Sequence, residues 1–220
     1  MTGTALRSEF TKVDWNFWRE WVLLSALGYG FGGIAGWPAF NYFNCALGDP
    51  NIAVYLLIGG GGAVAGISVG LAQWRAVRLK SPDANKLAWL GGNVVGLAIS
   101  WTLFYWIQFT LFESEPIILA LLVSGVTWGL LAGLVQRRAL QGQIQRGPLW
   151  FVISGLIGVV VFSIGWAWIP VVCFGYMSNS GSGVYGAAII GTVLSMICWP
   201  LAGALAGAAT GGLIKLTATS

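Results

Sequence analysis

Six apolar stretches divide the chain, and every Lys and Arg falls in alternate gaps between them. Each stretch is long enough to cross a hydrocarbon layer of about 30 Å as a helix. The expected spans cover about 20–44, 53–75, 87–112, 116–136, 148–174 and 184–214. Arg7, Lys12 and Arg19 precede the first span, and Arg75, Arg78, Lys80 and Lys86 separate the second from the third. Arg137, Arg138 and Arg146 separate the fourth from the fifth, and Lys215 follows the sixth. The other gaps carry only Asp49, Glu113 and Glu115 as charges. Cationic loops stay on the cytoplasmic side of a membrane. The pattern therefore predicts an all-α polytopic protein of six transmembrane helices with both termini inside. Five or seven spans would scatter the cations over both faces.

Composition points the same way. The chain is 57% hydrophobic and 8% charged, where soluble domains carry about 25% charged residues. The net charge of +4 sits beside the apolar runs, so topology accounts for it and no nucleic-acid partner is expected. There is no histidine, and Cys45, Cys173 and Cys198 form no CxxC pair. His-ligated haem, His-ligated chlorophyll, the usual zinc and copper sites and His-based triads are thereby excluded. Residues 1–17 lack the pattern of a cleavable signal peptide.

The helices repeat one another. Gly62, Gly66 and Gly70 lead to Gln73-Trp74-Arg75; Gly125, Gly129 and Gly133 lead to Gln136-Arg137-Arg138. Gly203, Gly207 and Gly211 form a third ladder that has lost the Gln and ends at Lys215. The odd spans carry Gly28, Gly32 and Gly36, then Gly92, Gly96 and Ser100, then only Ser154 and Gly158. These copies predict three tandem helical hairpins of like orientation, at about 20–80, 86–140 and 147–216. They follow an arm at 1–19 and together form a membrane domain at 20–216. Phe10, Val13, Phe17 and Trp21 recur at helical spacing, as expected of an amphipathic helix in the inner interface.

Glycine at every fourth position lines one helix face and lets a second backbone approach closely. The nine ladder glycines of the even spans are thus expected to pack helices, or to form grooves for a flat ligand such as a carotenoid, chlorin ring or sterol. Trp21, Trp89 and Trp150 at one end and Trp37, Trp101 and Trp166 at the other match interfacial belts. Trp101, Trp106, Trp128 and Trp199 are candidates for deeper positions. Pro38, Pro170 and Pro200 can kink their helices.

No ionisable residue is expected inside the spans, which argues against a proton-coupled pump. Gln73 with Arg75, and Gln136 with Arg138, sit where their helices leave the apolar layer. They read as anchors that reach lipid phosphate, or as a docking surface. Asn93 and Gln108 offer amide oxygens that could ligate the central metal of a pigment. Gly59-Gly60-Gly61-Gly62 lies within a span without a following Lys-Ser/Thr and is no phosphate loop. Nucleophile elbows, carboxylate pairs and metal motifs are missing, so no enzymatic activity is expected.

The run from Gly66 to Arg75, with its variant from Gly129 to Arg138, resembles uncharacterised multi-pass proteins of cyanobacteria and related bacteria. Those carry repeated glycine-ladder helices ending in Gln-Trp and Arg. The resemblance covers two of the three hairpins and supplies no activity. It implies a bacterial inner membrane or a thylakoid-type membrane as the setting. Mitochondrial carriers share the three-hairpin plan, but their Pro-acid-base signature is missing here. Aquaporin-like channels have inverted repeats and Asn-Pro-Ala boxes, also missing. The expected role is a non-enzymatic accessory or structural subunit that packs against partner subunits, lipids or pigments. Carotenoid, or chlorophyll held without histidine, stays open as a cofactor, and the chain's own copies are a further partner. The alternative is a passive channel or facilitator for a small neutral solute along a pseudo-threefold axis.

Overall fold

The computed structural model describes residues 15–46, 52–80, 84–108, 117–139, 147–166 and 183–218. One described helix lies on each apolar stretch: α1 (Trp15–Ala46), α2 (Ile52–Lys80), α3 (Lys86–Trp106), α4 (Ile117–Ala139), α5 (Gly147–Gly165) and α6 (Gly183–Ala218). No strand occurs among the described residues. Asn85 caps α3 by accepting a hydrogen bond from the Ala88 N–H at 3.0 Å. Arg137 and Arg138 occupy the last turn of α4, where cations complement the helix dipole. Among the described residues, four helical segments are long and apolar enough to cross a membrane: Ile52–Arg78, Lys86–Trp106, Ile118–Ala139 and Ile189–Gly211. The apolar part of α5, Trp150–Gly165, is shorter. The chain is a helical, multi-pass membrane protein.

The helices close a ring. Each packs on the next in sequence, and α6 returns to α1. Neighbours run antiparallel, as the glycine contacts demonstrate: Gly28 meets Val69 and Ala72 while Gly32 meets Ala65. The three even-helix ladders all point forward in the ring. Gly62, Gly66 and Gly70 face Leu97, Asn93 and Leu90 of α3. Gly125, Gly129 and Gly133 face Val159, Ser154 and Trp150 of α5. Gly203, Gly207 and Gly211 face Tyr29, Ser25 and Trp21 of α1. All nine ladder glycines therefore lie at helix–helix contacts within the chain. The outer surface is apolar at four-residue spacing, as at Leu23, Leu27 and Phe31 on α1 or Ile197, Leu201 and Leu205 on α6.

Two sequence expectations change. Phe17 and Trp21 belong to α1, which runs unbroken from Trp15, and both are buried. They pack with Trp89, Trp150, Ala76, Val77 and Ala139 and close one end of the ring, instead of lying on an interface. Residues 1–14, including Phe10 and Val13, lie outside the described residues. The tryptophan belt is likewise corrected. Trp21, Trp89, Trp101, Trp150 and Trp166 are all buried within the bundle. Each sits on the helix face that meets neighbouring helices, so the indoles fill the ring's interior and do not float at the lipid boundary. Trp15 and Trp106 are the exposed ones among the described tryptophans. Cys45 and Cys173 lie outside the residues whose side chains are described; Cys198 is a free thiol.

A methyl group at Gly66 would stand 2.5 Å from Asn93 O and Val94 Cα, whereas one at Gly60 would meet nothing within 4 Å. Gly66→Ala is expected to lower the unfolding free energy by about 1–3 kcal/mol. Gly60→Ala should leave it unchanged or raise it by up to about 1 kcal/mol through helix propensity. Denaturant titration in detergent micelles checks both; equal effects would contradict the assigned faces.

Candidate functional site

The interior of the ring has two aromatic layers. The end at which α1, α3 and α5 begin is here termed the basic end, and it holds the Trp21, Trp89 and Trp150 layer. The Trp21 indole N–H donates to Thr210 Oγ1 at 2.8 Å, and that of Trp150 donates to Gly133 O at 3.2 Å. Trp18 adds a bond to Ala208 O at 3.2 Å, so α1 and α6 are tied by hydrogen bonds as well as packing.

Farther from the basic end lies a larger cluster. Tyr29 stacks parallel to Trp199 at 6.4 Å and meets Trp128 edge-on at 5.6 Å. Trp166 packs on Phe104, Trp101 and Trp199 at 5.1, 5.2 and 5.5 Å. Phe162 completes the cluster against Trp128 and Trp199. Aromatic pairs at such distances each add about 0.5–1.5 kcal/mol beyond their buried area. Trp199 fits because its neighbours have no side chain: a Cβ on Gly165 would stand 2.8 Å from the indole, and one on Gly33 would collide with it. Rings from α1, α3, α4, α5 and α6 thus occupy the axis.

Between the layers is a cavity of about 20 Å³ lined by Tyr29, Trp128, Gln73, Gln136, Ser154 and Thr210, with four small or aliphatic neighbours. That volume holds about one water. Gln73 Nε2 donates to Ser25 Oγ at 3.2 Å, while Gln73 Oε1 and the Trp128 indole N–H have no protein partner. The cavity is therefore polar and neutral, with both acceptor and donor capacity.

The structure separates the residues that the sequence grouped. Gln73 and Gln136 are buried and line the cavity, whereas Arg75 and Arg138 are exposed outside the ring. Residues two apart on a helix do not share a face, so each Gln-x-Arg run serves two environments. Arg75 lies 3.6 Å from Glu20 of α1. Asn93 is buried against the Gly66 and Gly70 backbone, its Nδ2 donating to Trp89 O at 3.0 Å. Gln108 lies just past the far end of α3, about 22 Å along the helix from Asn93. The two amides thus do not converge on one ligand. No cluster of three His, Cys, Asp or Glu residues capable of holding a metal occurs among the described residues.

Ser25 and Thr210 went unnamed in the sequence reading. A signal for Ser25 exists: Trp21-x3-Ser25, Trp89-x3-Asn93 and Trp150-x3-Ser154 place a polar group one turn beyond each basic-end tryptophan. Thr210 has no counterpart of this kind. No protein family, curated protein or solved structure matches the chain.

Trp199 packs on the rings of Tyr29, Trp101, Phe162 and Trp166, so Trp199→Ala is expected to cost about 3–5 kcal/mol of stability. Gln73→Leu, which removes an amide with an unmatched oxygen, should cost far less, about 1 kcal/mol or under. Unfolding midpoints in detergent distinguish these; a larger loss from Gln73→Leu would mean that its amide bonds hold the ring together.

Proposed function

We propose that this chain is a non-enzymatic integral membrane subunit of six spans, with both termini cytoplasmic, built as three tandem hairpins around a pseudo-threefold axis. It packs through its outer surface against partner subunits and lipids. The observation that carries this reading is the division of labour among glycines. The even-helix ladders are consumed within the ring, while Gly60 and Gly91 sit on the outside with open space beside them. An outward glycine amid exposed Leu56, Leu57 and Val64 makes a flat apolar seat for another helix. The likeness of the ladder-Gln-Trp-Arg runs to cyanobacterial multi-pass proteins supports a photosynthetic-type membrane as the setting, with a carotenoid among the admissible ligands of the same surface.

A second reading has its own observation. A neutral polar cavity on the axis, next to a plug of rings, suits a facilitator for a small uncharged solute once the plug moves. Parallel repeats about the membrane normal can line such a path.

Purification in mild detergent, followed by native mass and visible absorbance, tests the choice. The subunit reading expects a stoichiometric partner protein, and Gly60→Trp should weaken its retention by about tenfold, roughly 1.4 kcal/mol. A colourless, partner-free species sinks it. Solute flux in liposomes that rises in Trp199→Ala would then establish the facilitator.

A further inference from the structure

A cleft of about 500 Å³ opens at the basic end between α3 and α4, bordered by Asn85, Ala88, Leu134, Arg137 and Arg138. An apolar groove of about 330 Å³ continues along the same seam past Leu87, Gly91 and Val95, and Ala88 and Arg138 border both spaces. The two openings together have one cationic end and one apolar end. Both guanidinium groups are exposed, and neither forms an ion pair with a carboxylate among the described residues. Arg137 lies 5.7 Å from the centre of the Phe151 ring. A contact with a ring face leaves a guanidinium's edge donors available. The start of α3, with its partial positive charge, lies in the same cleft at Asn85.

Comparison with the α1–α2 seam shows what this one lacks. Arg75 and Arg138 each lie five residues beyond the third glycine of their ladders, and Glu20 and Ala88 each immediately precede the basic-end tryptophan of the facing helix. Between α1 and α2 the chain supplies its own anion, Glu20, at 3.6 Å from Arg75. Between α3 and α4 the corresponding residue is Ala88, which has no charge and leaves a hollow.

We propose that the α3–α4 seam binds an anionic phospholipid, its phosphate held by Arg137 and Arg138 beside the start of α3 and one acyl chain lying along Gly91 and Val95. Forked guanidinium groups suit phosphate oxygens. The continuous apolar groove selects an amphiphile over free phosphate, and the anionic head replaces the missing carboxylate. This site rests on the membrane-embedded part of the function proposed above and is independent of any protein partner.

The full chain, extracted from membranes and stripped of lipid, is incubated with micelles containing equal phosphatidylglycerol and phosphatidylcholine, and retained lipid is read by native mass spectrometry. Phosphatidylglycerol should be favoured by about tenfold or more. Arg137→Gln with Arg138→Gln should erase the preference, and so should Ala88→Glu, which installs the carboxylate that Glu20 provides next door. Arg75→Gln should preserve it. Gly91→Leu projects into open space, so it should fold normally yet lower retention of both lipids. Equal retention of the two lipids by the native chain overturns the proposal, as does a preference that survives the arginine changes. Soluble glycerophosphate competing as well as phosphatidylglycerol would mark a free-phosphate site, and a protein cross-linked into the seam would mark a docking helix; either result also overturns it. Resistance to alkaline carbonate extraction is scored in parallel. An embedded chain without lipid preference refutes this site alone, whereas an extractable chain refutes the membrane reading with it.

Discussion

Helices in lipid gain almost nothing from hiding apolar surface from one another, because the tails they leave are as apolar as the side chains they meet. Close contact is what remains, and it is the constraint on which this ring depends. Dispersion attraction falls away within a fraction of an ångström of extra separation. A helix pair therefore gains most when its backbones approach closely, and small residues, glycine above all, permit that. Most of the even-helix ladder glycines meet the neighbouring backbone or the first atoms of its side chains: Gly66 lies against Asn93 and Val94, and Gly203 against Ser25 and Tyr29, whereas Gly211 meets the indoles of Trp18 and Trp21. The closing contact between α6 and α1 uses the same device as the sequence-local contacts, so the ring needs no special clasp beyond the Trp18 and Trp21 hydrogen bonds.

Bringing backbones together on the ring's circumference leaves a space along its axis, and the aromatic residues fill it. Small and large residues are complementary in detail. The Trp199 indole lies where Gly33 and Gly165 supply no side chain, and Pro200 follows against Gly30. Large flat rings suit an axis bounded by several helices because one indole can touch three or four of them. The price is that indole N–H groups become buried among apolar neighbours, as at Trp89 and Trp101. Trp18, Trp21 and Trp150 do reach a partner, and all three lie at the basic end, where Ala208 O, Thr210 and the Gly133 carbonyl are within range.

Among the described residues, the order of the helices was legible in the sequence, since α1 to α6 each fall on one of the expected apolar runs. The ladders were legible as close-packing faces in kind, but not in direction. Spacing of four places glycines on one face without saying which neighbour that face meets. The tryptophans misled for a physical reason: an indole near a span's end satisfies a belt and an end-plug equally well. Only the placement of the helices distinguishes them. Trp21, Trp89 and Trp150 share a helix face with Ser25, Asn93 and Ser154, and that face turns inward. The Gln-x-Arg runs misled similarly. Proximity in sequence suggested one joint role, whereas the hundred-degree step of a helix puts the amide at the axis and the guanidinium outside.

The three seams that hold the even-helix ladders differ in what the ladder meets. At the ladder-facing position, Tyr29, Leu97 and Gly158 occupy α1, α3 and α5 in turn, each eight residues beyond its basic-end tryptophan. Gly158 brings α5 against α4 so closely that Gly125 and Gly158 touch through their backbones, while Tyr29 reaches inward to Trp128 and Trp199. Packing alone would be served by repeating the tightest solution three times. Tyr29 instead joins the lining of the polar cavity, and at the α3–α4 seam Ala88 stands where the α1–α2 seam has the Glu20 carboxylate. Two of these departures, Tyr29 and Ala88, border openings, one on the axis and one between α3 and α4. The even ladders, which only need to hold helices together, keep all nine of their glycines. Packing accounts for the ladder positions, whereas Tyr29 and Ala88 leave space that packing alone does not require.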